Sequence, residues 1–353
     1  MNIKLFDYHL PKNLIAQKPT SPRDHSRLFV FDRVSKKIQH KHFYDLVDIL
    51  GSDDVLVLNE TKVFPARLKA KKKTGGFLEI FLLRTLSADS YQVMVGGRRF
   101  CVSDKIDFAR NFSAVFTKQE KDNIWHLKFN VSGRTLDKKI EQYGQTPLPP
   151  YIKVKDTSFV RQRYQTTYAK KRGSVAAPTA GLHFTSQLLK KLEKKGVKIF
   201  KVTLHVGLGT FAPVTTTDIT KHHIHREWVE IDSQTAKQLN QLKKQPASPD
   251  GRQGRGKNII AVGTTSARSL EAMTDACGQL QSGSKWVDIY IYPGYKYRFV
   301  DELITNFHLP KSSLLFMVSA LAGRQNIMNC YKLAIKKKYH FFSFGDAMFI
   351  RRR

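Results

Sequence analysis

The chain has 353 residues, 41% of them apolar, which suffices for a packed core and, at about 150 residues per domain, for two domains. Sixty Lys and Arg stand against 29 Asp and Glu, a formal net charge of +31, so nucleic acid is the first partner to consider. Cys101, Cys277 and Cys330 lie far apart without C-x-x-C spacing, so neither a disulfide framework nor a thiolate zinc site is indicated. The start shows no secretory signature, and the longest apolar run, "LLFMVSALAG" from Leu314, falls far short of the ~18 residues that span a bilayer. The expectation is a soluble, cytoplasmic protein.

In chain order, Val55 to Leu58 within "DDVLVLNETKVFPARLKAKKK" read as a buried strand, with Pro65 closing that unit. From about residue 67 to 150 the runs "GFLEIFLLR", "SYQVMVGGRRF", "NFSAVFTK" and "IWHLKFNVSG" are separated by Gly, Ser, Asn and Asp, a spacing that predicts a small antiparallel β-barrel. The proline-punctuated "QYGQTPLPPYIK" reads as a return crossing. The expected architecture is therefore an α/β main domain, residues 1–66 plus 151–353, with a barrel domain inserted at 67–150.

After the crossing, helical and strand signals alternate: "TSQLLKKLEKKG", "VKIFKVTLHV", "DSQTAKQLNQLKK", "NIIAVG", "TSARSLEAMTD" and "WVDIYIYPG". Such alternation implies an α/β sheet. Thr185 or Ser186 and Asp232 or Ser233 are the predicted N-caps, and Gly196 ends the first helix. "KKQPASPDGRQGRGKN" reads as a solvated loop. No repeat of fixed period and no heptad is present.

Two strands run into small-residue turns, one through Gly207, Gly209 and Thr210, the other through Gly263, Thr264 and Thr265. Such turns let backbone N–H groups approach a ligand, although tight packing would use the same glycines. Neither matches a dinucleotide or triphosphate fingerprint, so a small-molecule site at the carboxyl ends of strands is expected. The stretch "SVAAPTAGLHFT", residues 174–185, is uncharged between lysine-rich flanks except for His183. His222, His223 and His225 cluster ahead of Glu227, which suits a metal site with His222 and His225 on one helical face, a proton-transfer site, or a solvated basic face. His205 and His308 read as core histidines with satisfied ring nitrogens, the commoner fate of a lone histidine among apolar residues. Basic residues interleaved with aromatics in "YPGYKYRF" and "RQRYQTTYAKKRG" suit phosphate contact with base stacking, or an amphipathic surface.

Taken together, "FDYHLPKNLIAQKP", "RDHSRLFVFDR", "VLVLNETKVFPARL", "YQTTYAKKRGSVAAPTAGLHFT", "VTLHVGLGTFAPV", "HHIHREW", "IIAVGTTSARSLE", "IYIYPGYKYRFVDELITNFHLPKSSLLFMVSALAG" and "FFSFGDAMFI" resemble the S-adenosylmethionine:tRNA ribosyltransferase-isomerases of queuosine biosynthesis. The likeness covers nearly the whole chain. Glu60 and Ala267 stand where the family more often shows Asp and Val, and residues 243–258 make a longer, more basic connection.

The resemblance implies an α/β domain with an inserted barrel, a monomer, tRNA and S-adenosylmethionine as substrates, and no metal or redox cofactor. The implied reaction moves the ribosyl part of S-adenosylmethionine onto the aminomethyl group of 7-aminomethyl-7-deazaguanine in the anticodon, with isomerisation to an epoxycyclopentanediol and loss of adenine and methionine. A sulfonium acidifies the neighbouring ribose protons, so a positioned base can start the rearrangement. His183, His225 and Glu227 are the expected acid/base set. Ala177, Pro178, Thr179, Ala180, Gly181, His205, Gly207, Gly209, Thr210, Gly263, Thr264, Thr265 and Asn306 are expected against S-adenosylmethionine. Arg23, Arg27, Lys62, Arg67, Arg268 and Lys311 are expected against tRNA phosphates. The rivals are a noncatalytic RNA-binding protein and a metal-dependent RNA hydrolase built on His222 and His225.

Overall fold

The apolar runs resolve into a nine-stranded mixed sheet and a separate closed barrel of six strands, in a computed structural model that describes residues 1–72, 75–96, 100–120, 123–207, 214–245 and 257–352. In chain order, β1 (Arg27–Asp32) and β2 (Ile38–His42) pair antiparallel, the short α1 (Leu46–Ile49) follows, and β3 (Asp54–Asn59) and β4 (Thr61–Val63) lead to the barrel. The barrel comprises β5 (Arg67–Lys72), β6 (Phe77–Ser87), β7 (Ser90–Val95), β8 (Lys105–Ala109), β9 (Phe112–Gln119) and β10 (Ile124–Phe129). Helix α2 (Gly133–Tyr143) adds Leu136 and Ile140 to the barrel core, and Gln145 then pairs back onto Arg67.

Beyond the barrel come α3 (Ser158–Arg163), β11 (Lys171–Ser174), α4 (Ser186–Lys194), β12 (Lys198–His205), β13 (Glu227–Ile231), α5 (Ser233–Lys244), β14 (Asn258–Val262) and α6 (Gly263–Met273). The chain ends with β15 (Gly283–Val287), β16 (Glu302–Asn306), α7 (Ser313–Ala322), α8 (Arg324–Lys336) and β17 (Ala347–Arg351). The sheet order is β15-β13-β12-β3-β14-β16-β17-β1-β2, and β12, β3, β14 and β16 run parallel.

All six residues of β3 are buried, as a strand covered on both faces requires. Its side chains alternate between two cores. Val55 and Val57 pack with Ala267 and Leu270 of α6, whereas Leu56 and Leu58 pack with Leu188 and Leu192 of α4. The Thr185 hydroxyl accepts from the Leu188 N–H at 3.1 Å and caps α4, and the Asp232 carboxylate caps α5 through the Thr235 N–H at 2.8 Å. Both caps sit where capping chemistry places them.

One predicted strand differs from the observed one. The ladder expected over "WVDIYIYPG" stops at Val287, because β15 is an edge strand that pairs, among the described residues, with β13 alone, and the first residue of β13, Glu227, lies opposite Val287. Ile289 and Ile291 pack on the core without a ladder, so their alternation reports burial and not pairing.

Parallel alignment brings the carboxyl ends of β12, β3, β14 and β16 to one edge of the sheet. Ligands favour that edge in open α/β sheets.

Candidate active site

At this edge lies a cavity of about 320 Å³, of the size that encloses a small ligand. Its walls are residues 176–180 after β11, Val206 after β12, 263–265 at the start of α6, 305–312 after β16, and Tyr151, Phe342 and Ser343. The small residues follow from position. Gly263 has φ +86°, which lets α6 begin at the very end of β14, and a Cβ on Gly181 would stand 2.0 Å from the Tyr168 hydroxyl. No side chain caps α6, so its first-turn N–H groups and the positive end of its dipole face an anion-ready space. The buried Thr265 hydroxyl beside them has no hydrogen-bond partner. Among the described lining residues there is no carboxylate, and the charged one is Lys311, whose Nζ pairs with Asp7 at 2.7 Å.

A buried polar chain supports one wall. The Asn306 side-chain amide donates to the Phe342 carbonyl at 3.0 Å, which fixes its Nδ2 and Oδ1 assignment, and to His183 Nε2 at 3.2 Å. Because Nε2 must then accept, His183 carries its proton on Nδ1 and donates to Ser26 Oγ at 2.7 Å, which in turn donates to the Arg23 carbonyl at 3.3 Å. Burial, aided by the Arg23 charge, pushes the His183 imidazole down to about 3. The chain leaves Asn306 Oδ1 as a buried acceptor without a partner. His308, also on the cavity wall, is pushed down to about 3 by burial and meets Thr305 Oγ1 through Nε2 at 3.0 Å.

On the other side of Val206 is a cleft of about 370 Å³ between the barrel and the β12–β13–β15 end of the sheet. Arg84, Arg172, Arg226, His205, His225, Trp228 and Trp286 line it, again without a carboxylate among the described lining residues. Beneath it Glu227 forms a buried ion pair with Arg268 and accepts from the Gly207 N–H at 3.1 Å.

The model of the family described as "Queuosine biosynthesis protein" matches residues 3–350. The chain belongs to the queuosine biosynthesis family. A solved relative is the S-adenosylmethionine tRNA ribosyltransferase from Thermotoga maritima, 34% identical over 98% of this chain and 99% of that one, with a TM-score of 0.54.

Not every residue singled out in this queuosine-biosynthesis protein gathers at one place. Ala177, Pro178, Thr179, Ala180, Gly263, Thr264, Thr265 and Asn306 line the first cavity. Gly181 packs behind its wall against Tyr168, His205 and Gly207 line the second cleft, and Gly209 and Thr210 lie outside the described residues. The acid/base trio does not converge: His183 is sealed between Ser26 and Asn306, His225 is exposed in the cleft, and Glu227 is held by Arg268. Both His183 nitrogens are engaged and burial pushes its imidazole down to about 3, an arrangement that holds the Asn306 amide in place.

The helical face expected for His222 and His225 is absent, because the one-turn helix Ile219–Lys221 ends just before them and β13 begins at Glu227. Among the described residues no group of three or more His, Cys, Asp or Glu side chains is placed to hold a metal ion.

Most of the cations expected against phosphate are engaged within the protein. Arg23 donates to the carbonyls of Gln162, Gln165 and Leu182 and is pushed down to about 10 by burial. Arg27 donates to the Lys337 carbonyl at 2.8 Å and lies 3.7 Å over the Tyr339 ring, and Arg268 is buried against Glu227. Arg67 pairs with Glu79 at 3.4 Å. Lys62 and Lys311 remain exposed, Lys311 beside the cavity.

Tyr151, Phe342 and Ser343 were not anticipated as wall residues. The Tyr151 hydroxyl meets Ser343 Oγ at 2.8 Å, and burial pushes it up to about 12. The available signal was the uncharged, aromatic "FFSF" a few residues after the lysine-rich end of α8, a contrast in charge like the one that marks residues 174–185.

Proposed function

We propose that the first cavity binds S-adenosylmethionine and that the protein transfers and isomerises its ribosyl part onto 7-aminomethyl-7-deazaguanine in the tRNA anticodon, yielding epoxyqueuosine-tRNA, adenine and methionine. The observation that carries this reading is the uncapped start of α6 opening into a carboxylate-free cavity, with the unpartnered Thr265 hydroxyl beside it. The methionyl carboxylate takes the first-turn N–H groups and Thr265. The sulfonium faces the rings of Tyr151, Phe307 and Phe342, which attract a cation without neutralising it.

The wall chemistry also suits the nucleophile. Transfer requires the aminomethyl group as a free amine, and a cavity without carboxylates and with Lys311 nearby disfavours its ammonium form. His308, on the cavity wall with Nε2 at Thr305 Oγ1, is the candidate to meet the ribose as a neutral hydrogen-bonding group, since an imidazole pushed down to about 3 is a weak base. Asn306 offers Oδ1 to a donor on the ligand, held in place by His183.

Monomeric assembly, a cytoplasmic location and catalysis without metal or redox cofactor belong to the same proposal. No helix among the described residues is long and apolar enough to cross a membrane. The test is amide hydrogen exchange with and without S-adenosylmethionine. Protection is expected at residues 263–266 and 176–180, and protection elsewhere with none there overturns the assignment.

A further inference from the structure

We infer that the cleft beside Val206 clamps a nucleotide of the tRNA anticodon loop next to the modified base, with its base on Trp286 and Trp228 and its phosphate against Arg84 and Arg226. The inference rests on the reading that the neighbouring cavity takes S-adenosylmethionine.

Strand register builds the stacking platform. In the antiparallel β12–β13–β15 end of the sheet, His205 lies opposite Trp228 and Trp228 opposite Trp286, so three rings form one row across the strands. The odd-numbered residues of β13 point into the core, while Trp228 points the other way. The two indoles meet edge to face, with centroids 5.6 Å apart and planes at 64°, so at most one face of one ring is taken up by the other. Trp286 is 38% exposed. An indole face left open at the end of a sheet suits an unpaired base, since every base has a π-face to offer.

The charge around the platform selects the same partner. Arg84 reaches across from the barrel and lies over the Trp286 ring, 5.4 Å from its centroid, and Arg226 lies 67% exposed, 3.7 Å from Asp288. Exposed arginines, Arg84 and Arg226, beside tryptophans are complementary to a single-stranded polyanion. Location makes that strand the substrate itself: Val206 lines both hollows, so a target base placed in the first leaves its neighbour at the second.

Steady-state kinetics of the full-length protein with precursor-bearing tRNA tests this. Trp286→Ala is expected to raise the KM for tRNA about tenfold, the size of one lost base stack, with the KM for S-adenosylmethionine within about twofold of wild type. Trp286→Phe, which keeps a ring, is expected to return the tRNA KM to within about threefold. A tRNA KM for Trp286→Ala within twofold of wild type overturns the clamp, as does a parallel rise in both KM values, which marks a structural role. The two readings fail separately. If Thr265→Val leaves the S-adenosylmethionine KM unchanged while Trp286→Ala raises that for tRNA, the first cavity is misassigned and the clamp stands.

Discussion

The cavity at the start of α6 and the cleft under the barrel share Val206, yet one is walled by alanines, threonines and a helix terminus and the other by arginines and tryptophans. In the first, unpaired polar groups, Thr265 Oγ1 and Asn306 Oδ1, wait in a buried setting where each is effective because water is excluded. In the second, charge and aromatic surface stay open to solvent, which suits a partner drawn in by long-range potential. The contrast teaches that the excess of +31 acts around the reaction site and not inside it. An interior cation would hold the methionyl carboxylate more tightly but would repel the sulfonium.

The largest expected effect belongs to His308. His308→Ala is expected to slow single-turnover adenine release by about 100-fold, the scale of one preorganised hydrogen-bonding group lost from a dry site, whereas a loss below tenfold removes His308 from that role. His183→Ala sharpens the distinction between acting and positioning. It frees the Asn306 amide from one of its two partners, so the KM for S-adenosylmethionine is expected to rise about tenfold, in line with one weakened polar contact, while the pH profile keeps its shape. A changed profile with an unchanged KM would return His183 to proton transfer.

Next comes the buried pair beneath the cleft. Glu227→Gln leaves Arg268 without its countercharge and is expected to lower the unfolding free energy by about 3–5 kcal/mol. Lost turnover with an unchanged urea midpoint would mean instead that Glu227 touches the reacting atoms. A smaller effect follows from the two neutral imidazoles, His183 and His308. Their folded values near 3 lie below the ordinary 6.5, so the unfolded chain binds more protons and stability falls as pH drops from about 6.5 toward 3. At pH 5 each accounts for a loss of about 2 kcal/mol, visible as a falling thermal midpoint; a midpoint flat across that window contradicts the neutral assignments. The smallest effect separates the two hollows by salt: between 50 and 200 mM the tRNA KM rises, as phosphate contacts require, and the S-adenosylmethionine KM does not.

Composition and periodicity made much of this fold legible, because buried parallel strands such as residues 55–58 and amphipathic helices such as α4 carry their burial in local sequence. The uncharged walls were legible for a related reason: alanine, glycine and threonine at strand ends stand out between lysines. The residue roles were not. Whether His183 shuttles a proton or steers an amide depends on Ser26, Asn306 and Phe342, partners that only tertiary structure brings together. The same holds for Arg268, whose sequence setting reads as basic surface until α6 turns it toward Glu227. The tryptophan row was hidden for a third reason. Trp228 and Trp286 are distant in sequence and become neighbours through strand register alone, and the apolar alternation that follows Trp286 suggests a longer strand than forms.

The division of labour between an uncharged cavity for S-adenosylmethionine and a cationic surround for RNA is tested most directly by adenine release. Purified protein is incubated with S-adenosylmethionine alone, with precursor-bearing tRNA alone, and with both, and free adenine is measured together with the mass of the tRNA base. Adenine and methionine released only when both substrates are present, one of each per epoxyqueuosine formed, is the predicted result. Modification of tRNA without adenine, or adenine released at the same rate without tRNA, contradicts it.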